Sequence, residues 1–306
     1  MAKADFDALV ARAMAMPGRA HMRPVIEKEL LHYDMLFALD QGGLLDGITF
    51  QGGTSLRLCH GSPRFSEDLD FAGGLDFKTE DLVAIKGCLE EYLGARYDLQ
   101  VSVKEPRDMA VDRAERGLNV DCWQVSIQTA PARPDLPRQR IKFEVANVPA
   151  YTGELTSLRT NYDFLPDGYA ETLLRVESLD EVFADKLLSY AVSRYPRYRD
   201  IWDLQWLEQQ GAKLNADLLR NKITDYRVQD YPVRAENAIR ALSDQVHSRE
   251  FSDTMLRFLP QEVQERTLLR EGFLDYLIKQ VKGHLESALT ALRTPAGTKA
   301  EPPFRM

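Results

Sequence analysis

The sequence predicts an α/β chain of the α+β kind, in which a small mixed sheet with covering helices is followed by a C-terminal helical domain. Three observations predict it. Short runs of β-type residues crowd the segment from 47 to 148. One stretch of helical period lies between two of those runs. From about residue 170 to 293 the apolar positions recur at helical spacing throughout.

Residues 4 to 45 read as two helices, within an N-terminal unit of residues 1–45. The second runs through PVIEKELLHYDMLFALDQ, where Pro24 suits a first helical turn, and Gly42 with Gly43 stops it. The α/β core, 46–150, takes its strands from GITFQ, EDLDFA, YDLQVSV, NVDCWQVSIQ and RQRIKFEVANV. DFKTEDLVAIKGCLEEYLGA, between two of them, is a helix expected to cover one face of the sheet. Residues 149 to 170 make a connector into a helical domain spanning 151–293. The remainder, 294–306, has too few apolar residues to bury and is expected to be a flexible tail.

Composition narrows the class. A hydrophobic fraction of 44% over 306 residues supports a globular core and excludes a disordered or fibrous chain. Cys59, Cys88 and Cys122 are odd in number and lack C-x-x-C spacing, so neither a disulfide framework nor a zinc site is indicated. No window approaches the ~20 apolar residues that span a bilayer, and the N-terminus carries acids where a signal peptide is apolar. A cytoplasmic location is therefore expected. The net charge of −8 argues against indiscriminate attraction to phosphate backbones, so an RNA substrate must meet a local basic patch.

The segment that carries chemistry is FQGGTSLRLCHGSPRFSEDLDF, residues 50 to 71. Gly52 and Gly53 let the backbone approach a ligand closely, and Thr54 is expected to open a helix whose free N–H groups favour a triphosphate. Asp68 and Asp70, at i and i+2 of a strand, aim at one spot, while Leu69 and Phe71 face the core and fix the register. Paired carboxylates repel unless a cation neutralises them, and hard oxygen ligands suit Mg²⁺. In RIKFEVANV the apolar residues alternate so that Glu144 falls on the polar face, as a third acid from another strand. Three such carboxylates can hold two Mg²⁺ ions, the arrangement used to transfer a nucleotidyl group from an NTP. Arg57 and Arg64 flank the glycine turn and the acidic strand as candidates for triphosphate contacts. The Ser66 hydroxyl either touches phosphate or caps its own loop.

G-G-T-x-L-R followed by R-x-S-x-D-L-D-F resembles the nucleotidyltransferase superfamily, and within it the AbiEii/AbiGii toxin branch that includes the MenT toxins. Downstream, Asp180 through Leu187 resembles that family's D-x-x-A-x-K-L helix, and Arg199-Asp200-Ile201-Trp202-Asp203-Leu204 resembles its R-D-x-x-D-L motif. The resemblance implies a nucleotidyltransferase-like core, with Asp68 and Asp70 as metal ligands and Lys186 holding nucleotide phosphates. It also implies that Asp200 or Asp203 completes the site from the helical domain. This sequence has Glu144 where the superfamily's third acid is often Asp. By the same resemblance, the chain is the toxin of a toxin–antitoxin or phage-defence pair, adding nucleotides to the 3′ end of tRNA and restrained by a cognate antitoxin.

Plainer readings stand beside these. Helical period alone makes Lys186 a surface lysine, and Asp200 and Asp203 simple helix-starting acids. Arg194, Arg197 and Arg199 interleave with Tyr195 and Tyr198, which suits either phosphate and base contacts or a solvated turn. His60 is expected to be structural, and Trp202 with Trp206 core. Two other functions fit the sequence: a nucleotidyltransferase acting on a protein or small molecule, and a noncatalytic nucleotide-binding module that works through a protein partner.

Overall fold

The computed structural model describes residues 4–106, 120–131, 133 and 137–293. The expected tail, 294–306, and the first residue of the NVDCWQVSIQ run lie outside them.

Helix α1 (Phe6–Met14) is opened by Asp5, whose carboxylate accepts from the Ala8 N–H, and α2 (Arg23–Gln41) carries Pro24 in its first turn. α2 is buried on nearly every side, and its polar members survive there because each has a partner. Glu29 receives Arg57, Asp34 receives Tyr97, Tyr169 and Arg96, and His32 Nε2 meets the Glu67 carbonyl.

Seven strands form one mixed sheet in the order β3-β4-β5-β2-β1-β7-β6. They are β1 (Thr49–Gln51), β2 (Leu69–Ala72), β3 (Val101–Lys104), β4 (Val120–Ile127), β5 (Gln139–Ala146), β6 (Glu154–Ser157) and β7 (Leu173–Val176). The short helix α3 (Gly52–Leu58) joins β1 to β2, and α4 (Ile85–Tyr97) is the covering helix expected between two strands. Phe50, Phe71 and Phe143, on the three central strands β1, β2 and β5, stack in series on the buried face.

The sheet extends further along the chain than the sequence indicates. β6 lies in the expected connector and β7 in the stretch given to helices, and β7 pairs in parallel with β1 through Phe50 and Val176. Four-residue strands are too short for a period of two to stand out from a helical background. The helices begin beyond them: α5 (Leu179–Val192), α6 (Tyr198–Gln209), α7 (Ala216–Asp225), α8 (Tyr231–Val246), α9 (Arg249–Phe258), α10 (Gln261–Arg266) and α11 (Phe273–Arg293).

Two apolar cores result, one among α1, α2, α4 and the sheet, the other among α5 to α11. They are pinned together by exchange. Leu56 of α3 is buried in the helical core, and Phe258 of α9 in the sheet core. The Phe65 N–H also donates to the Phe258 carbonyl at 2.9 Å. Lys222 of α7, wholly buried, reaches Glu177, Glu181 and Asp185 at 2.8, 2.8 and 3.1 Å and ties β7 and α5 to α7. No helix among the described residues is long and apolar enough to cross a membrane.

Candidate active site

Asp70 lies at the centre of the sheet, paired with Gln51 on one side and directly opposite Glu144 on the other. Leu69 and Phe71 are buried, as their alternation requires, so Asp70 faces the opposite surface. Burial, then Glu144, then Asp68 push the Asp70 carboxyl up to about 7. Asp68 is likewise raised, chiefly by burial, although its Oδ1 accepts from the Lys142 N–H at 3.1 Å.

The glycine turn faces these acids. Gly52 has φ +79°, and a Cβ there would stand 2.8 Å from Asp70 Oδ2, so both backbone shape and space demand glycine. A Cβ on Gly53 would meet the Arg64 guanidinium and Ser66 Oγ at 2.6 and 2.8 Å. The helix after the turn begins at Gly52 rather than at Thr54. Thr54 is buried, and its hydroxyl donates to the Asp68 carbonyl, fixing the acidic strand to the turn instead of facing an anion.

A line of alternating charges closes the site from the helical side. Arg64 grips Asp203 through two bonds of 2.7 Å, and Asp203 Oδ2 lies 2.9 Å from Lys186 Nζ. Lys186 donates at 2.7 Å to Asp200, which also accepts from Arg197 at 2.9 Å. Burial works against the charges of Lys186, Asp200 and Asp203. Even so, Lys186 and Arg197 hold Asp200 down at about 2, Arg64 and Lys186 hold Asp203 low, and the two aspartates raise Lys186. The surface position that helical period gives Lys186 is thus overturned, because α6 packs over that flank of α5. Asp200 and Asp203 act together in holding Lys186, and Asp200 borders the same hollow as Asp68 and Asp70.

Two connected hollows flank Asp70. One, of about 480 Å³, is walled by Gly53 and Ser66, by Glu67, Asp68, Asp70 and Asp200, and by Arg64, Lys186, Arg197, Arg199 and Arg257, so cations and acids face each other across it. The other, of about 560 Å³, runs from Gly52, Asp70 and Glu144 to the apolar Val182, Leu188 and Val192. At the mouth, Glu67 bridges Lys28 of α2 at 3.0 Å and Arg199 of α6 at 3.2 Å. Although burial opposes its charge, Lys28 and Arg199 keep Glu67 below the usual carboxylate range.

Arg57 belongs elsewhere. It is buried against Glu29, with bonds of 2.6 and 3.0 Å, and also donates to the Ser62 carbonyl, so the triphosphate contact expected of it is not available. Arg64 does border the hollow, but its fork is occupied by Asp203. His60 Nε2 donates to the Glu177 carbonyl at 3.1 Å and is structural in that sense. Trp202 and Trp206 are buried. Nothing local in the sequence marks Arg257 and Phe258, or Lys28 behind Glu67, because only packing brings them beside the hollow.

The acids suit a hard divalent cation in kind, all donors being carboxylate oxygens beside an acid that resists ionising alone. Their spacing departs from the expected convergence. Among the described residues no three His, Cys, Asp or Glu side chains are gathered tightly enough to hold a metal ion. Asp68, just outside β2, is turned onto the Lys142 backbone, which accounts for the gap.

A family model described as "Nucleotidyl transferase AbiEii toxin, Type IV TA system" matches residues 34–282. Among solved structures, the nucleotidyltransferase toxin MenT4 of Mycobacterium tuberculosis is similar at a TM-score of 0.50 and 22% identity, over 94% of this chain and 99% of that one, a likeness of fold. JHP933 from Helicobacter pylori matches at a TM-score of 0.46 and 17% identity, over 88% and 93% of the two chains. A further H. pylori protein, titled as a nucleotidyltransferase, matches at 0.45 and 17%, over 88% and 96%. No curated protein matches significantly.

Proposed function

This chain belongs to the AbiEii family of nucleotidyltransferase toxins of type IV toxin–antitoxin systems, and from that membership we propose that it transfers a nucleoside monophosphate from an NTP to the 3′-terminal hydroxyl of tRNA. A cognate antitoxin, encoded alongside, restrains it. In such a transfer the acceptor oxygen bonds to the α-phosphorus, the bond from that phosphorus to the bridging oxygen breaks, and pyrophosphate leaves. Asp68, Asp70 and Glu144 would hold Mg²⁺ once Asp68 turns from the Lys142 N–H toward the other two, and the ion when bound would supply positive charge to the triphosphate and lower the pKa of the attacking hydroxyl.

The observation that carries the reading is the facing of Asp70 toward both Glu144 and Gly52, with Lys186 in the same wall. Gly52 and Gly53 admit the phosphates close to the backbone. Lys186, held immobile by Asp200 and Asp203, offers a fixed positive charge to them, while Ser66, Arg64 and Arg199 line the approach. The cluster of Arg197, Arg199 and Arg257 provides the local basic surface that an RNA strand needs on an acidic protein.

Incubation of the purified chain and Mg²⁺ with each α-labelled NTP in turn, offered tRNA or a protein extract, tests this. Label in tRNA, lost with EDTA and with Asp68→Asn, is the expected result. Label in protein alone would replace tRNA as the acceptor. No label in any fraction, together with growth arrest that persists in Asp68→Asn cells, would overturn the catalytic reading.

A further inference from the structure

A further cavity, of about 730 Å³, shares two walls with the catalytic hollow. The loop after α3 turns Arg64 and Ser66 toward the catalytic hollow but places Gly61 and Pro63 in this cavity. Helix α6 does the same. Its first turn, Tyr198 to Asp200, borders the catalytic hollow, and its later turns carry Trp202, Gln205 and Trp206 to the second cavity.

The chemistry of these walls is specific. Four aromatic side chains contribute, Trp202 and Trp206 from α6 and Phe273 and Tyr276 from α11. Trp202 and Gln205 are each only 2% exposed, yet Trp202 Nε1 and Gln205 Nε2 have no hydrogen-bond partner. Buried donors without acceptors are rare in folded proteins, because each forfeits the bonds it made to water. Arg266 and Arg270 stand at the rim, with Glu271 as the one acid among the walls. Aromatic faces call for a planar group and exposed guanidinium groups for an anion, and a turn of Trp202 or Gln205 would give its enclosed donor a carbonyl or phosphate acceptor.

We propose that this cavity is a second nucleotide-binding site, distinct from the catalytic hollow, which takes one base with its phosphate. The nucleotide is either free or an unpaired unit of an RNA strand. Occupancy would press on α6, and so on the Asp200 and Asp203 side chains that hold Lys186. The cavity is sized for such a ligand, since small-molecule sites span ~300–1,000 Å³.

Two of the chain's three tryptophans line the cavity, so binding is read directly by quenching of intrinsic fluorescence. Single nucleotides and short unpaired oligoribonucleotides would be titrated separately, without Mg²⁺. Quenching is expected with at least one of them, weakened about tenfold or more by Arg266→Glu/Arg270→Glu and retained in Asp68→Asn. The rim arginines are exposed, so the double variant should fold, and its far-UV circular dichroism checks that. Saturation by free nucleotides identifies a small-molecule site, and response to oligoribonucleotides alone identifies the strand. Absence of quenching by either, or quenching indifferent to the arginine reversals, overturns the proposal. Because the readout is binding, it stands whether or not tRNA proves to be the acceptor.

Discussion

Asp70 and Glu144 are direct partners across the parallel β2–β5 pair, so two carboxylates that are distant in sequence meet at the centre of the sheet, where burial, then Glu144, then Asp68 hold Asp70 up at about 7. Removing the charge of one should therefore separate catalysis from stability. Asp70→Asn is expected to lower transfer by about a thousandfold or more. Its melting temperature without metal should be no lower than that of the parent. Mg²⁺ should raise the melting temperature of the parent and not of the variant, as followed by differential scanning fluorimetry.

Lys186 and Asp203 differ in what their loss exposes. Asp203→Ala leaves Arg64 and Lys186 buried without their shared partner and should cost about 3–5 kcal/mol in urea denaturation. Lys186→Met leaves Asp203 with Arg64 and Asp200 with Arg197, and should cost clearly less, about 1–3 kcal/mol. Transfer activity per folded molecule should nevertheless fall about a hundredfold in Lys186→Met. Equal stability losses in the two variants would contradict the chain of charges described above.

Arg57 provides the contrasting case. Its bidentate pair with Glu29 is buried, so Arg57→Ala should destabilise by about 3–5 kcal/mol. KM for the NTP should stay unchanged at a temperature where the variant is folded. A raised KM with unaltered stability would restore Arg57 to the triphosphate.

Glu67 neutralises two cations at the mouth of the catalytic hollow. Glu67→Gln frees Lys28 and Arg199, and RNA affinity at low salt should rise about threefold with a steeper dependence on salt concentration. Filter binding across a salt series measures both. Unchanged affinity and slope would mean that the two cations do not face the nucleic acid.

His32 makes acid stability depend on a neutral ring. Burial lowers its pKa from 6.5 to about 4, so the unfolded chain binds more protons between those values. Stability is full above pH 6.5 and is lost as pH falls toward 4, amounting to about 2 kcal/mol by pH 5. His32→Gln should lose correspondingly less between pH 7.5 and pH 5 in denaturant titrations. Asp34, raised by burial to about 6, contributes with the opposite sign, its stabilisation declining as pH rises through that range. Its contribution is common to both proteins, so the difference between them isolates His32.

Local periodicity revealed a good part of this molecule. Pro24 and the double glycine marked the ends of α2, and the alternation of Leu69 and Phe71 with the acids set the register of β2 before any partner strand was known. Strands β6 and β7 escaped because each has four residues, and a sheet position is conferred by the neighbour that pairs with it. Arg57 misled for a related reason. Nearness in sequence to the glycine turn does not say which face of α3 a side chain occupies, and the partner that claims it, Glu29, lies on a different helix.

Spacing along the chain sufficed to name side chains that could do chemistry: an acid on either side of Leu69, a glycine turn, and the helix motifs bearing Lys186, Asp200 and Asp203. Those features are local, since alternation along a strand and spacing along a helix depend on backbone geometry alone. The packing of remote segments sets Glu144 opposite Asp70, divides the charge of Asp203 between Arg64 and Lys186, and gives Arg57 to Glu29. Electrostatic pairing depends on distance through space, and distance between remote segments is set by how the two cores pack.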